Sequence, residues 1–438
     1  MINFFRNILP RPVLVFIRPV KHQFIDPLLK KLLFYRMKKK HELLIECKKG
    51  KRRLRVVFLV IHRSVWKVDR VFQKMLQDPF FEPIILVCPY THYDDERMWE
   101  DMNDTIAYFH RKNYKTISSY NEKNKTWISL SELEPDLVFF TNPHNLTRKE
   151  YYQEAYLNFL SCYVPYSFDV SRYDNYIAQY NQYFHNAIWR IFLPHQVDLE
   201  IYKNFSQAKA RNTITTGYPF VESIINSNEY IDAVWKKQNK AKKKIIWAPH
   251  HTIDSENLPY ASFLKIAQFM MDMAIKYSDE VQFAFKPHPI LRSKLYDNIS
   301  WGKEKTDEFY SFWDFSDNTQ YCDTEYASLF LSSDGMIHDS GSFLAEYLFV
   351  EKPVLYTSNL TSDNMKCYYN DFGLSALDSH FIAEGDRQKE IIEKFILDII
   401  DDNLTISEKH QMFIINNQIS TNASELILQE IRNVLKRS

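Results

Sequence analysis

Three short segments in the second half of the chain hold side chains that can do chemistry. Pro249-His250-His251-Thr252, Lys286-Pro287-His288-Pro289 and His338-Asp339-Ser340-Gly341-Ser342 each follow a short apolar run. Imidazoles donate to phosphate oxygens and move protons near neutral pH. The Lys286 ammonium is a point charge for phosphate. The third segment runs into a predicted helix that ends before Lys352-Pro353. Hydroxyls of Ser340 and Ser342, close backbone approach at Gly341 and unpaired N–H groups at a helix start make an anion site there. Glu346, four residues after Ser342, falls one helical turn on and can accept from sugar hydroxyls. Taken alone, the same segment also reads as an N-capped helix in an ordinary αβ unit. Together the three loops suit a diphosphate with a leaving group. His250 and His251 are adjacent rather than one turn apart, and no Asp-x-Asp triplet occurs to hold a divalent ion. The expected site is therefore metal-independent and uses no cofactor.

These loops need a scaffold that ends them at one edge, and the hydrophobic pattern supplies one. Arg55–Ile61, Pro83–Val87, Asp136–Phe140 and Phe159–Val164 read as buried strands, with a helix-like stretch from Val65 to Leu76. A second series follows at Ile245–Ala248, Gln282–Phe285, Gly335–Ile337 and Val354–Tyr356. This βαβα rhythm predicts an α/β fold with parallel sheets, and in open sheets of that kind ligands bind beyond the carboxyl ends of strands. The expected organisation is a leader over 1–54, a first domain over 55–215, and a polar, Lys-rich junction over 216–243. A second domain over 244–404 and C-terminal helices over 405–438 complete it.

Charge is unevenly placed. Residues 1–55 contain sixteen Lys and Arg against three acids, so the balanced total conceals +13 at one end and −13 over the rest. Apolar residues (among them Phe4, Phe5, Leu14, Phe16, Leu28, Leu29 and Leu32) are interleaved with that charge, but Pro10, Pro12 and Pro19 interrupt them. No run reaches the roughly 18 residues of a membrane span, and the pattern is not that of a signal peptide. A basic, partly amphipathic leader suits an anionic membrane surface, where each Lys or Arg adds roughly 1 kcal/mol. A leader that simply packs on the protein is the alternative. Confinement of the charge to one end argues against nucleic acid as a partner. The five cysteines are scattered without a Cys-x-x-Cys pair, and the seven glycines form neither a dinucleotide-binding nor a Walker-type loop.

Ala248-Pro249, Lys286-Pro287-His288-Pro289, Asp339, Ser342, Glu346 and Lys352-Pro353, in that order, resemble the C-terminal half of the CDP-glycerol glycerophosphotransferase family. The resemblance covers roughly 244–360. It implies a GT-B fold, with two Rossmann-like domains facing a central cleft. It also implies transfer of a polyol phosphate from a CDP-activated donor to a lipid-linked or polysaccharide acceptor, as in teichoic-acid and capsule synthesis, in the cytoplasm on the inner membrane face. On this reading the donor phosphates lie on Ser340–Ser342 and near Lys286 and His288, and His250 or His251 assists the leaving phosphate. The family's Trp-His-Gly-Thr-Pro motif, whose histidine is its general base, is absent; Pro165-Tyr166-Ser167 and Asn142-Pro143-His144 stand nearest. His144 is then the candidate base, with Tyr166 lining the site. Asp339-Ser340-Gly341, Glu346 and Thr216-Gly217-Tyr218-Pro219 also look like UDP-N-acetylglucosamine 2-epimerases. A nucleotide-sugar glycosyltransferase and an epimerase-like enzyme are the alternative readings.

Overall fold

Runs of Val, Ile, Leu and Phe that can be buried on both faces form the centres of two parallel sheets. The computed structural model describes residues 21–92, 94–226, 234–254, 258–323 and 326–436. Its first nine strands are β1 (Leu54–Val60), β2 (Phe81–Val87), β3 (Thr116–Ser118), β4 (Tyr120–Asn121), β5 (Thr126–Trp127), β6 (Leu137–Phe140), β7 (Ser161–Tyr163), β8 (Arg190–Leu193) and β9 (Thr213–Thr215). Six more follow: β10 (Lys243–Ala248), β11 (Val281–Phe285), β12 (Thr319–Tyr321), β13 (Gly335–His338), β14 (Val354–Thr357) and β15 (Phe381–Ala383). One sheet has the order β3-β2-β1-β6-β7-β8-β9 and the other β12-β11-β10-β13-β14-β15; β4 and β5 form a separate small hairpin. Every pairing in the two large sheets is parallel.

The central strands lie where the apolar runs predict them. The expected Phe159–Val164 strand shortens to β7. The expected Val65–Leu76 helix becomes a 3-10 turn at Arg63–Val65 and a helix at Asp69–Gln77. Trp66 closes the gap between them, donating its indole N–H to Asp69 at 2.7 Å.

The chain divides into two compact units. One comprises the described residues of Met1–Tyr166, Tyr176–Thr216 and Ser424–Ser438; the other comprises those of Ser167–Asn175 and Gly217–Ala423. In the first unit Val57, Leu59, Val138 and Phe140 from the sheet pack with Tyr151, Tyr156 and Phe184. In the second, Trp247 and Phe285 pack with Phe263, Phe309 and Trp313. Each such side chain, fully buried, contributes about 1.5–3 kcal/mol, so the sheets are rigid supports for the loops at their edges.

Residues 1–20 of the predicted leader lie outside the described residues. From Asp26 to Lys48 the leader is a 23-residue helix fastened to the first unit. Lys30 donates to the carbonyl of Asn181 at 2.5 Å, Lys40 to that of Leu157 at 2.6 Å, and Lys48 to the Asp136 carboxylate at 2.9 Å. Its buried stripe is Lys30, Phe34, Met37 and His41, while Leu28, Leu29, Leu32 and Leu43 are exposed. The last helix, from Ala423, also packs in the first unit, where Glu430 pairs with Arg190 at 2.8 Å. No described helix is long and apolar enough to cross a membrane.

Candidate active site

In each sheet the chain order reverses once, between β1 and β6 and between β10 and β13. Loops leaving the carboxyl ends of strands on either side of such a reversal diverge and open a crevice. The second sheet's reversal is flanked by the His250–Thr252 loop after β10 and the Asp339–Ser342 turn after β13. Next to β10, β11 delivers Lys286 and His288.

The structure draws His250, His251 and His288 together. Ring centroids are 4.4 Å apart for His250 and His251, 4.2 Å for His251 and His288, and 5.2 Å for His250 and His288. The His288 amide donates to the Pro249 carbonyl at 3.0 Å, which ties the two loops together. Burial, reinforced by Lys294, holds all three below the ordinary histidine range, with neighbouring imidazoles adding at His250 and His288 and Lys286 at His288: His250 well below, His251 at about 4 and His288 at about 3. They are neutral at pH 7. Lys286 is buried; its ammonium donates to the Cys322 carbonyl at 3.3 Å and sits 5.7 Å from the centre of the Tyr326 ring.

One nitrogen from each imidazole can be chosen so that all lie within 4.8 Å of one another, a spacing within reach of a metal ion. The Ile290 N–H donates to His288 Nδ1 at 3.2 Å, so the neutral ring carries its proton on Nε2 and presents a donor there. That N–H can donate to an anion oxygen.

Three expectations at the Asp339–Ser342 turn change. Asp339 does not face a ligand: it is 1% exposed. Its Oδ1 accepts from the His250 amide at 2.5 Å, and its Oδ2 from the Ser262 amide at 2.6 Å and hydroxyl at 2.8 Å. The carboxylate is a clamp between loops. Burial outweighs these donors and pushes its pKa up to about 7. The helix after the turn is also short, four α residues (Phe343–Glu346) running into a 3-10 segment at Tyr347–Val350, so its dipole is small. Finally, the Ser340 amide is spent on His338 Nδ1 at 3.1 Å. His338 donates from Nε2 to His380 Nε2 at 3.1 Å, and His380 donates from Nδ1 to the Ala376 carbonyl at 2.8 Å. Ser342 is half-buried with no side-chain capping bond, and Gly341 is packed beside the Tyr260 ring. Glu346 is buried and accepts from the Tyr326 hydroxyl at 2.5 Å.

In the first unit, His144 follows β6 and meets the Tyr166 hydroxyl at 3.3 Å. Its Nδ1 lies 3.0 Å from Gln182 Nε2. Burial lowers its pKa. The strand-end rule also selects His62, just after β1, which the sequence reading passed over. Its Nε2 is 3.6 Å from Asp101 Oδ2.

The family model of CDP-glycerol:poly(glycerophosphate) glycerophosphotransferases matches residues 178–394. That is the family the motifs resemble. The matched stretch holds all three histidines of the cluster, Lys286 and the Asp339–Ser342 turn. Among solved structures, the wall teichoic acid polymerase TagF is similar with a TM-score of 0.55 at 16% identity, covering 94% of this chain and 98% of that one. S. aureus MnaA in a UDP co-structure is similar with a TM-score of 0.54 at 15% identity, covering 87% and 97%. The UDP-GlcNAc 2-epimerase of Methanocaldococcus jannaschii gives 0.52 at 12% identity, covering 86% and 99%. These likenesses establish a GT-B-like α/β fold. No curated protein matches in sequence.

Proposed function

We infer that the chain is a transferase moving glycerol phosphate, or another polyol phosphate, from a CDP-activated donor to a lipid-linked or polysaccharide acceptor in cell-surface polymer synthesis. The observation that carries this reading is the convergence of His250, His251, His288 and Lys286 at the strand reversal of the second sheet, inside the matched stretch. Neutral imidazoles supply N–H donors to the diphosphate, and Lys286 supplies fixed positive charge. As the phosphorus–oxygen bond to CMP breaks, negative charge grows on the leaving phosphate, and donors already in place stabilise it without reorganising. The transfer written this way needs no metal.

A peripheral place on the inner membrane face is supported by the leader helix. Its exposed Leu28, Leu29 and Leu32 stand beside exposed Lys31, Arg36, Lys38 and Lys39. A pocket of about 470 Å³ lined by Leu29, Leu32, Leu33, Tyr156 and Leu157, with Arg36 at its margin, adjoins them. Apolar contact plus cationic charge suits anionic lipid. Binding to phosphatidylglycerol vesicles but not phosphatidylcholine, lost in a Leu28→Glu/Leu32→Glu variant, is the expected result.

The function itself is tested by thermal shift with CDP-glycerol, CDP-ribitol and UDP-sugars, followed by CMP release with a lipid-linked glycerol phosphate acceptor. Stabilisation by a CDP-polyol and loss of CMP release in His288→Ala support the reading. Stabilisation by UDP-N-acetylglucosamine alone, with its conversion in the absence of any acceptor, overturns it in favour of epimerase chemistry.

A further inference from the structure

We propose that the buried pair His338 and His380 positions the donor site, His380 by fixing the tautomer of His338 and His338 by fixing the Asp339 clamp; this rests on the transfer reading above. His338 is the last residue of β13, opposite Ala248 of β10 and Tyr356 of β14. In the sequence it reads as one more imidazole at a strand end, like His250 and His288. The fold turns it inward. It is 0% exposed, and its ring meets that of Tyr356 edge-on with centroids 5.4 Å apart. His380 is also buried, between the Asp371–Leu377 helix and β15.

Two backbone groups decide where the protons of the pair sit. The Ala376 carbonyl can only accept, so His380 Nδ1, 2.8 Å from it, carries a proton. The Ser340 amide can only donate, so His338 Nδ1, 3.1 Å from it, is a bare lone pair. Burial holds both rings neutral at pH 7, with one proton each. The 3.1 Å contact between the two Nε2 atoms then has a single direction, from the His338 N–H to the His380 lone pair. Every ring nitrogen is used. Without the His380 acceptor, the His338 Nε2–H is a buried donor with nothing to receive it. Moving that proton to Nδ1 sets it against the Ser340 N–H.

The consequence falls on Asp339. The bond from the Ser340 amide to His338 Nδ1 spans Asp339 and closes a small ring through its backbone. Asparagine and aspartate make the same closure in an Asx turn. On the other side, the His338 carbonyl accepts from the Thr357 hydroxyl at 3.3 Å. With both flanking residues held, the Asp339 carboxylate is directed to the amides of His250 and Ser262. His250 opens the loop that carries two of the three clustered imidazoles. Fully buried, His338 acts on the donor only through that clamp, and His380 only through His338.

The experiment measures KM and kcat with CDP-glycerol and a lipid-linked acceptor in His338→Leu, His338→Asn, His380→Leu and the double variant His338→Asn/His380→Leu. His338→Leu removes the acceptor for the Ser340 amide and is expected to raise KM about 10-fold with kcat within about threefold, the worth of one net hydrogen bond. His338→Asn gives the same amide an oxygen and has no tautomer to fix, so KM is expected within about threefold of the wild type. His380→Leu is then expected to raise KM beside His338 and to leave it unchanged beside asparagine, a coupling that lost core packing does not produce. Nitrogen NMR of the histidine-labelled wild type should show His338 protonated at Nε2 and bare at Nδ1. An unchanged KM in His338→Leu, a His338→Asn variant as impaired as His338→Leu, an equal effect of His380→Leu in both backgrounds, or an Nδ1 proton on His338 overturns the proposal. A wild type that turns over only a UDP-sugar overturns the donor reading instead, and the same four variants are then compared on that sugar.

Discussion

Replacing Asp339 by asparagine tests the clamp that holds the site together. The wild-type carboxylate accepts three hydrogen bonds, from the His250 amide and from the Ser262 amide and hydroxyl. An amide keeps one oxygen. Turned to serve the two Ser262 donors, it sets its NH₂ against the His250 N–H. That loses a charge-assisted bond, worth about 1.5–3 kcal/mol, and strands a buried donor at about 1–3 kcal/mol. Against this stands the cost of burying the charge. A folded-state pKa of about 7 against an ordinary 3.8 corresponds to about 4 kcal/mol of destabilisation once the carboxylate is ionised. The sign follows from proton binding. Between those two values the folded protein holds the proton more tightly than the unfolded chain, so wild-type stability from this group falls as pH rises toward about 7. The carboxamide of the Asp339→Asn variant does not titrate. The variant therefore trails the wild type by about 2–3 kcal/mol more at pH 5 than at pH 8. Urea unfolding at both pH values, followed by the fluorescence of buried Trp247 and Trp313, measures the gap. A gap that is constant or widens toward high pH would falsify this account and show three short donors outweighing burial.

Three further outcomes follow from the geometry. Lys286→Ala should raise KM for the CDP-polyol about 10- to 100-fold, the loss of one charge-assisted phosphate contact, and an unchanged KM removes Lys286 from the donor site. Gly373→Ala places a Cβ 2.3 Å from the Val170 carbonyl oxygen; an unfolding free energy lowered by about 2–3 kcal/mol is expected, and an unchanged melting temperature contradicts the packing. Donor binding should take up protons near pH 6, because an anion raises the pKa of the buried, neutral His250, His251 and His288. Calorimetry in two buffers of different ionisation heat reads that uptake, and proton release would contradict a donor on these rings.

Much of the fold was legible because its central strands are buried on both faces: β1, β2, β6, β10, β11, β13 and β14 all fall on apolar runs. β9 (Thr213-Ile214-Thr215) and β12 (Thr319-Gln320-Tyr321) were not, since three residues with polar ends carry no period. The meeting of the three histidines was legible from the strand-end rule alone. The direction of the Asp339 carboxylate was not, because residue type does not say whether a carboxylate faces a ligand or a neighbouring amide. His62 also stands just past a strand end, but the Asp101 it approaches lies on a helix, where a carboxylate reads as part of a solvated face. In the leader, composition left membrane contact and packing on the protein as alternatives; the helix buries Lys30 beside Phe34 and Met37, where the backbone carbonyl of Asn181 receives the Lys30 ammonium, and several of its leucines are exposed.

The chemistry open to the histidine cluster is decided by where its protons sit. A metal ion needs three lone pairs pointing inward, each on a ring whose other nitrogen is protonated and engaged by an acceptor. At His288, Nδ1 receives the Ile290 N–H, so placing the lone pair on Nε2 would abandon that bond. At His250, Nδ1 lies 3.0 Å from the Thr252 hydroxyl oxygen, which already receives the Ala261 N–H at 3.3 Å. That oxygen can still give its own proton to His250 Nδ1, which puts the ring N–H on Nε2. Lys286 and Lys294 act on the cluster and lower its proton affinity, and the same positive potential repels a cation. Asp339, which accepts from the His250 amide, has both oxygens committed to the loops. Neutral N–H donors backed by fixed positive charge and rigid loops are what a diphosphate requires.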